Sequence, residues 1–179
     1  MLCSTTIESP VGRLAITADA TAIVMISWSG QVNGEVTALL AEATQQLDAY
    51  FAGRLRQFDL PLQPAGSLFE RRVWAAMRQI PHGQTRTYGE LAMAVGSAPR
   101  AIGGACGKNP IPIVIPCHRV LARGGLGGYS GGAGLETKRW LLALEGIAAP
   151  VVSLPAKRAN PGASKFDLIR IAASPRSSQ

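Results

Sequence analysis

The feature that most restricts this chain is a pair of matched helix starts in its second half. Ser67-Leu68-Phe69-Glu70 and Thr87-Tyr88-Gly89-Glu90 each place a hydroxyl residue three positions before a glutamate. In such a capping box the hydroxyl accepts from the glutamate's amide, and the carboxylate accepts from the cap's own amide. After Ser67, the residues Phe69, Val73, Trp74, Met77 and Ile80 share one helical face, and Pro81-His82-Gly83 ends the helix. After Thr87 a short helix reaches Val95, and Gly96-Ser97-Ala98 turns the chain. Pro99 suits the first position of a further helix, predicted over 100–108, because its missing N–H is not needed there. Two short helices joined by a glycine-containing turn form a helix-turn-helix, whose second helix lies in the major groove when the motif binds DNA. That second helix holds Ala101, Gly103, Gly104, Ala105 and Gly107. Glycine inside a helix costs about 0.5–1 kcal/mol against alanine. Its repeated use implies close approach, either of another helix or of a duplex.

The first third reads differently. Residues 4–29 have β character, with a turn at Ser9-Pro10-Val11-Gly12 and a β-branched run at 22–28. A helix is predicted over 35–52, with Val36, Leu39, Leu40, Leu47 and Phe51 on one face and Gly53 as its stop. Residues 58–62 suggest one more strand. Gln63-Pro64-Ala65-Gly66 then reads as a linker, and the charge changes sign there. Residues 1–66 carry a net −3, residues 67–123 a net +6 and residues 151–179 a net +4, within a total of +7. A basic middle segment that binds a polyanion and a basic surface that only aids solubility both fit this asymmetry.

These features predict an α+β fold. A small N-terminal sheet-and-helix domain spans 1–63. A mainly helical domain spans 64–150. The tail at 151–179 is expected to be mostly flexible, with a short ordered piece at 166–171. With 47% hydrophobic and 16% charged residues the chain can bury a core, and its composition is not that of a disordered protein. Cys3, Cys106 and Cys117 make an odd set without a close pair, which argues against a disulfide framework and against a zinc site. No metal and no cofactor is expected. No apolar run approaches the ~20 residues that span a bilayer. The first basic residue is Arg13, so a charged signal-peptide start is missing and a cytoplasmic location is expected.

The apolar run Ile111-Pro112-Ile113-Val114-Ile115 reads as a short buried strand, with Cys117 and His118 at its end. A thiol beside an imidazole can be an activated nucleophile, because the thiolate is the reactive form. Neighbouring side chains on a strand face opposite ways, so the pair cooperates only if the chain turns or a water links them. A structural cysteine remains the alternative. Seven of the twelve residues over 123–134 are glycine, and Tyr129-Ser130 sits among them. Such a loop can approach a ligand closely, although it lacks the phosphate-binding P-loop pattern. The last helix, 136–145, ends in Glu145, where a carboxylate opposes the helix dipole. It either orients a histidine or is a surface acid.

Ile115-Pro116-Cys117-His118-Arg119-Val120 resembles the active-site signature of the methylated-DNA–protein-cysteine methyltransferases, also called 6-O-alkylguanine-DNA alkyltransferases. Thr87-Tyr88-Gly89-Glu90-Leu91-Ala92, Arg100-Ala101-Ile102-Gly103-Gly104-Ala105, Asn109-Pro110, Gly128-Tyr129-Ser130-Gly131-Gly132 and Lys138-Arg139-Trp140-Leu141-Leu142 match the family in order. The likeness is strong over 67–147 and loose over 1–66.

The resemblance implies direct, irreversible transfer of an alkyl group from 6-O-alkylguanine to Cys117. His118 would take the thiol proton through a water, Glu145 would hold His118, Tyr88 would assist the leaving guanine, and Asn109 would brace the turn. Arg100, Ala101, Gly104 and Arg119 would contact DNA, with Arg100 filling the space of the flipped nucleotide. Val120, Tyr129 and Ser130 would line the guanine pocket. The implied partner is double-stranded DNA with an alkylated guanine, met by a monomer that does not use a membrane. The alternatives are a Cys-His hydrolase and a lesion-binding relative that transfers nothing.

Overall fold

The computed structural model describes residues 1–148. The expected tail with its piece at 166–171 lies outside the described residues.

The chain begins as an antiparallel three-stranded sheet in the order β1 (Cys3–Ile7), β2 (Leu14–Ala18), β3 (Ile23–Ser27). All of β2 is buried, as a middle strand covered on both faces must be. The register slips between Thr17 and Ala18, where β3 pairs irregularly. Leu14, Ile16, Ile23 and Ile26 meet Leu40, Ala43, Leu47 and Tyr50 of α1 (Ala38–Phe51) in the core. Thr37 caps α1 by accepting from the Leu40 amide at 3.3 Å. Gly53, at φ 71°, ends it in the left-handed region that glycine tolerates. The helix therefore starts later than expected, and Val36 lies outside it, 57% exposed. The strand expected over 58–62 is reduced to one bridge, Ile23 to Leu62.

Both capping boxes form. Ser67 Oγ accepts from the Glu70 amide at 3.2 Å while Glu70 accepts from the Ser67 amide at 2.8 Å, opening α2 (Leu68–Arg78). Thr87 and Glu90 do the same at 3.1 and 2.6 Å and open α3 (Tyr88–Val95), just after the two-residue strand β4 (Arg86–Thr87). Gly96, at φ 66°, ends α3, and Pro99 begins α4 (Pro99–Gly107). The Trp74 indole donates to the Ala105 carbonyl at 2.9 Å, which pins α4 onto α2. Ile102 and Ala105 are the buried residues of α4. A 3-10 turn over Cys117–Arg119 leads into β5 (Val120–Leu121), parallel to β4. The last helix is α5 (Leu135–Leu144).

The run 111–115 is fully buried but is not a strand. Its chain turns, with the Ile115 amide donating to the Ile111 carbonyl at 2.9 Å and Ile113 held at φ 76°. Pro110, Pro112 and Pro116 explain this, since proline cannot donate to a ladder. One buried cluster runs from the sheet through α2, α3 and α4 to α5. The amide of Ile26 in β3 donates to the carbonyl of Pro110 at 2.9 Å, so the sheet edge is tied to the segment that carries Cys117.

Two substitutions test these starts. Removing the Ser67 hydroxyl (S67A) should cost about 1 kcal/mol, whereas V36A should stay within about 0.5 kcal/mol. Urea denaturation of both variants measures the difference.

Candidate active site

Cys117 opens the 3-10 turn at the base of a cleft of about 600 Å³. The cleft walls come from 26–29, Tyr88, the inner side of α4 (Gly103, Cys106, Gly107), Asn109, Pro112 and 128–132. The turn matters because successive residues on a three-fold helix need not face opposite ways as they do on a strand. Asn109 holds the preceding loop: its side-chain amide donates to the Ile115 carbonyl at 2.8 Å, and its oxygen accepts from the Ile111 amide at 3.1 Å. Burial pushes the Cys117 thiol up, against weaker opposing effects of Asn109 and Lys138. At neutral pH the resting form is therefore the thiol, and its reaction requires a base.

The imidazole next to it in the chain is buried. His118 is 0% exposed, and its Nε2 lies 2.9 Å from Glu145 Oε1. With a carboxylate partner, Nε2 carries the proton and Nδ1 is free to accept. Nδ1 is buried without a protein hydrogen-bond partner among the described residues. Burial holds the His118 pKa below its ordinary value, so the ring is neutral.

Glu145 caps α5 and is 5% exposed. Arg119 binds it side-on, Nε to Oε2 at 2.9 Å and Nη2 to Oε1 at 2.8 Å, while Nη1 donates to the Ile80 carbonyl at 2.7 Å. Tyr50 Oη donates to Oε1 at 2.7 Å, and the Gly83 amide reaches Oε2 at 3.3 Å. Burial alone would raise the Glu145 pKa. The contacts with His118 and Arg119 outweigh burial and hold it well below the usual carboxylate range.

This arrangement corrects the placement of Arg119 on the DNA surface. Its side chain is 7% exposed and is committed to Glu145 and Ile80. The net charge of the middle segment counted a cation that is neutralised inside. Val120 is also displaced from its expected role. Its side chain is 0% exposed and does not line the cleft, and its carbonyl accepts from Lys138 Nζ at 2.6 Å. Tyr129 and Ser130 do line the cleft. The Tyr129 hydroxyl is buried, and burial with the nearby Cys117 sulfur raises its pKa. Tyr88 reaches the Gly128 carbonyl at 3.5 Å, and burial pushes its phenol to about 12. Arg100, Ala101 and Gly104 form no part of the cleft and lie exposed on the outer face of α4.

Three residues were not anticipated. Lys138 is 0% exposed, donates to the Val120 and Gly128 carbonyls, and is brought down by burial to about 8. Its signal was available, since Lys138, Leu141, Leu142 and Glu145 occupy one helical stripe in which two charges share the buried side. Tyr50 and Trp28 come from the N-terminal part, and nothing local marks either as a site residue. Among the described residues no three His, Cys, Asp or Glu side chains cluster as metal ligands would. No helix among them is long and apolar enough to cross a membrane.

Comparison with known proteins matches this geometry. Residues 2–64 fit the family model described as 6-O-methylguanine DNA methyltransferase, ribonuclease-like domain, and residues 68–147 fit the DNA binding domain of the same description. The chain is 43% identical over 150 residues to a methylated-DNA–protein-cysteine methyltransferase of Methanosarcina acetivorans, covering 78% of this chain and 95% of the relative. It is 44% identical over 155 residues to one of Mycolicibacterium paratuberculosis, covering 81% and 93%. A solved Mycobacterium tuberculosis O6-methylguanine methyltransferase superposes with a TM-score of 0.74 at 40% identity, over 85% of this chain and 97% of that one. A complex of the M. tuberculosis protein with DNA gives 0.71 at 40% identity, over 80% and 92%. The chain belongs to the 6-O-methylguanine DNA methyltransferase family.

The buried pair makes an energetic prediction. R119A should destabilise the fold by about 3–5 kcal/mol, because it leaves a carboxylate buried without its cation. Stability should also fall in acid. The unfolded chain takes up protons at His118 below the ordinary value of 6.5 and at Glu145 below 4.5, before the folded state can. Urea midpoints measured from pH 7.5 down to 4 should decline across both windows, and E145Q should remove the lower part of that decline.

Proposed function

We propose that this protein repairs alkylated DNA by transferring the alkyl group of 6-O-alkylguanine to Cys117, once per molecule. The observation that carries the reading is Cys117 in a cleft of about 600 Å³, roomy enough for a purine base, followed by a neutral buried His118 fixed by Glu145.

His118 Nδ1 takes the thiol proton through a water, and the Cys117 sulfur attacks the alkyl carbon. The carbon–O6 bond breaks, and its electron pair goes to the guanine. Tyr88 hydrogen-bonds to the leaving base, and its raised pKa keeps the phenol a donor. Tyr88 passes its proton to the guanine anion and regains one through water as the His118 imidazolium gives up the thiol proton, so the products are neutral guanine, neutral His118 and a thioether on Cys117. Glu145 stays charged throughout, so the imidazolium that forms has a partner.

The partner is double-stranded DNA with an alkylated guanine, and the protein acts as a monomer. Space around α4 supports the duplex reading. A Cβ on Gly103, Gly104 or Gly107 would meet nothing within 4 Å. Packing inside the protein therefore does not require these glycines, whereas a closely approaching duplex would. Arg100, exposed in the first turn of α4, enters the base stack as the damaged nucleotide leaves it. Residues 1–63 act as a support that contributes Tyr50 and Trp28, and 64–150 holds the acceptor and the DNA surface. A Cys-His hydrolase would need an oxyanion site and gives no reason for the open glycine-rich face of α4.

Two measurements test the proposal. Incubation with methylated duplex should add one methyl to the Cys117 peptide and then stop, with C117S unmodified but still binding DNA. Continued turnover with free Cys117 would refute it. R100A should slow repair of duplex about ten- to hundredfold, since extruding a base costs a few kcal/mol. It should barely affect reaction with the free alkylguanine base, and equal slowing of both would remove Arg100 from the flipping step.

A further inference from the structure

The alkyl-accepting cleft is not built by the C-terminal part alone. Residues 26–29, from the end of β3, form one of its walls. Trp28 is the large side chain of that wall, and three contacts hold it. Its Nε1 donates to the Val11 carbonyl at 2.8 Å, within the turn before β2. Its ring meets Tyr129 edge-on, with centroids 6.5 Å apart at 84°. The indole also lies against the glycine-rich loop, where a Cβ on Gly131 would fall 2.5 Å from its six-membered ring and one on Gly132 would fall 2.7 Å from Nε1. The two glycines leave room for the indole, and the indole occupies the space their side chains would have taken.

We propose that Trp28 sets the largest alkyl group that Cys117 can accept. The inference rests on the alkyl-transfer reading above. The guanine is held by the loop at 128–132, and the alkyl carbon must reach the Cys117 sulfur at the floor of the same cleft. A longer or branched substituent has to extend along the walls, and Trp28 is anchored at both ends and cannot swing aside as a solvent-facing side chain would. A wall of this kind discriminates by size, with about tenfold or more between substituents that fit and those that collide. The contact joins the end of the N-terminal sheet to the glycine-rich loop. It places the size filter on the N-terminal sheet, outside the segments that carry the motif residues.

The test measures S-alkylation of Cys117 by mass for wild type, W28F and W28A, using duplexes that contain O6-methylguanine or O6-benzylguanine. The benzyl-to-methyl rate ratio should rise about tenfold in W28A and by a smaller factor in W28F. Folding of each variant is followed by circular dichroism. If W28A does not fold, W28F decides the question, because it keeps an aromatic ring on the loop while removing volume. An unchanged ratio in the folded variants, with both substrates slowed alike, overturns the inference and makes Trp28 a packing residue. Failure of wild type itself to take a methyl group on Cys117 would instead overturn the alkyl-transfer reading.

Discussion

The structure turns on one buried charge, the carboxylate of Glu145. An isolated carboxylate in an apolar interior is costly unless it is paired and fully hydrogen-bonded. Here four donor residues come from three parts of the chain: Tyr50 from α1, Gly83 after α2, and His118 with Arg119 from the 3-10 turn. The acceptor itself sits at the end of α5. The negative end of that helix would repel a carboxylate. The Arg119 guanidinium, bound in two places, offsets this effect and the burial together. Because each donor is committed to the same two oxygens, the relative positions of α1, α5 and the cysteine turn are set by a single group. The His118 imidazole is oriented as a consequence.

The same argument explains why an arginine within the active-site signature points inward. In Pro116-Cys117-His118-Arg119, the cysteine serves the cleft while both residues after it bind the Glu145 carboxylate. Cys117 faces the cleft, His118 faces the carboxylate and Arg119 reaches past it to the Ile80 carbonyl. A strand would have put Cys117 and Arg119 on one face and His118 on the other. The 3-10 turn resolves this, and the left-handed Ile113 with the bracing Asn109 creates the bend that delivers the chain into it.

Much of the helical layer was legible in the sequence because its signals are local. The Ser67 and Thr87 boxes, Gly96 and Pro99 each act within one turn of chain, and all four do in the structure what their chemistry requires. The α+β order and the family were likewise carried by contiguous motifs. The misreadings have one cause. The strand at 111–115, the position of Val36 and the exposure of Arg119 depend on what lies across space, which hydrophobic or charge counting cannot show. Proline spacing at 110, 112 and 116 was a local warning against the strand. For Trp28 and Tyr50 no such warning existed. Their partners are the glycine-rich loop and Glu145, far along the chain.

Burial of the acceptor thiol fits a protein that is consumed by its own reaction. A low-pKa, exposed thiolate would react with any electrophile and be lost without repairing anything. Cys117 is 8% exposed and burial raises its pKa, so it rests as a thiol. The second thiol of the cleft, Cys106, is also pushed up, to about 12, chiefly by burial. In the alkyl-transfer reading proposed above, deprotonation falls to the buried His118, and productive attack needs a nucleobase filling the cleft so that the alkyl carbon meets the sulfur. Lys138 adds a cation close to both thiols, and its own pKa is brought down to about 8 by the same burial. Burial outweighs this cation, so the cleft favours the thiol, and selectivity comes from access and orientation more than from intrinsic reactivity.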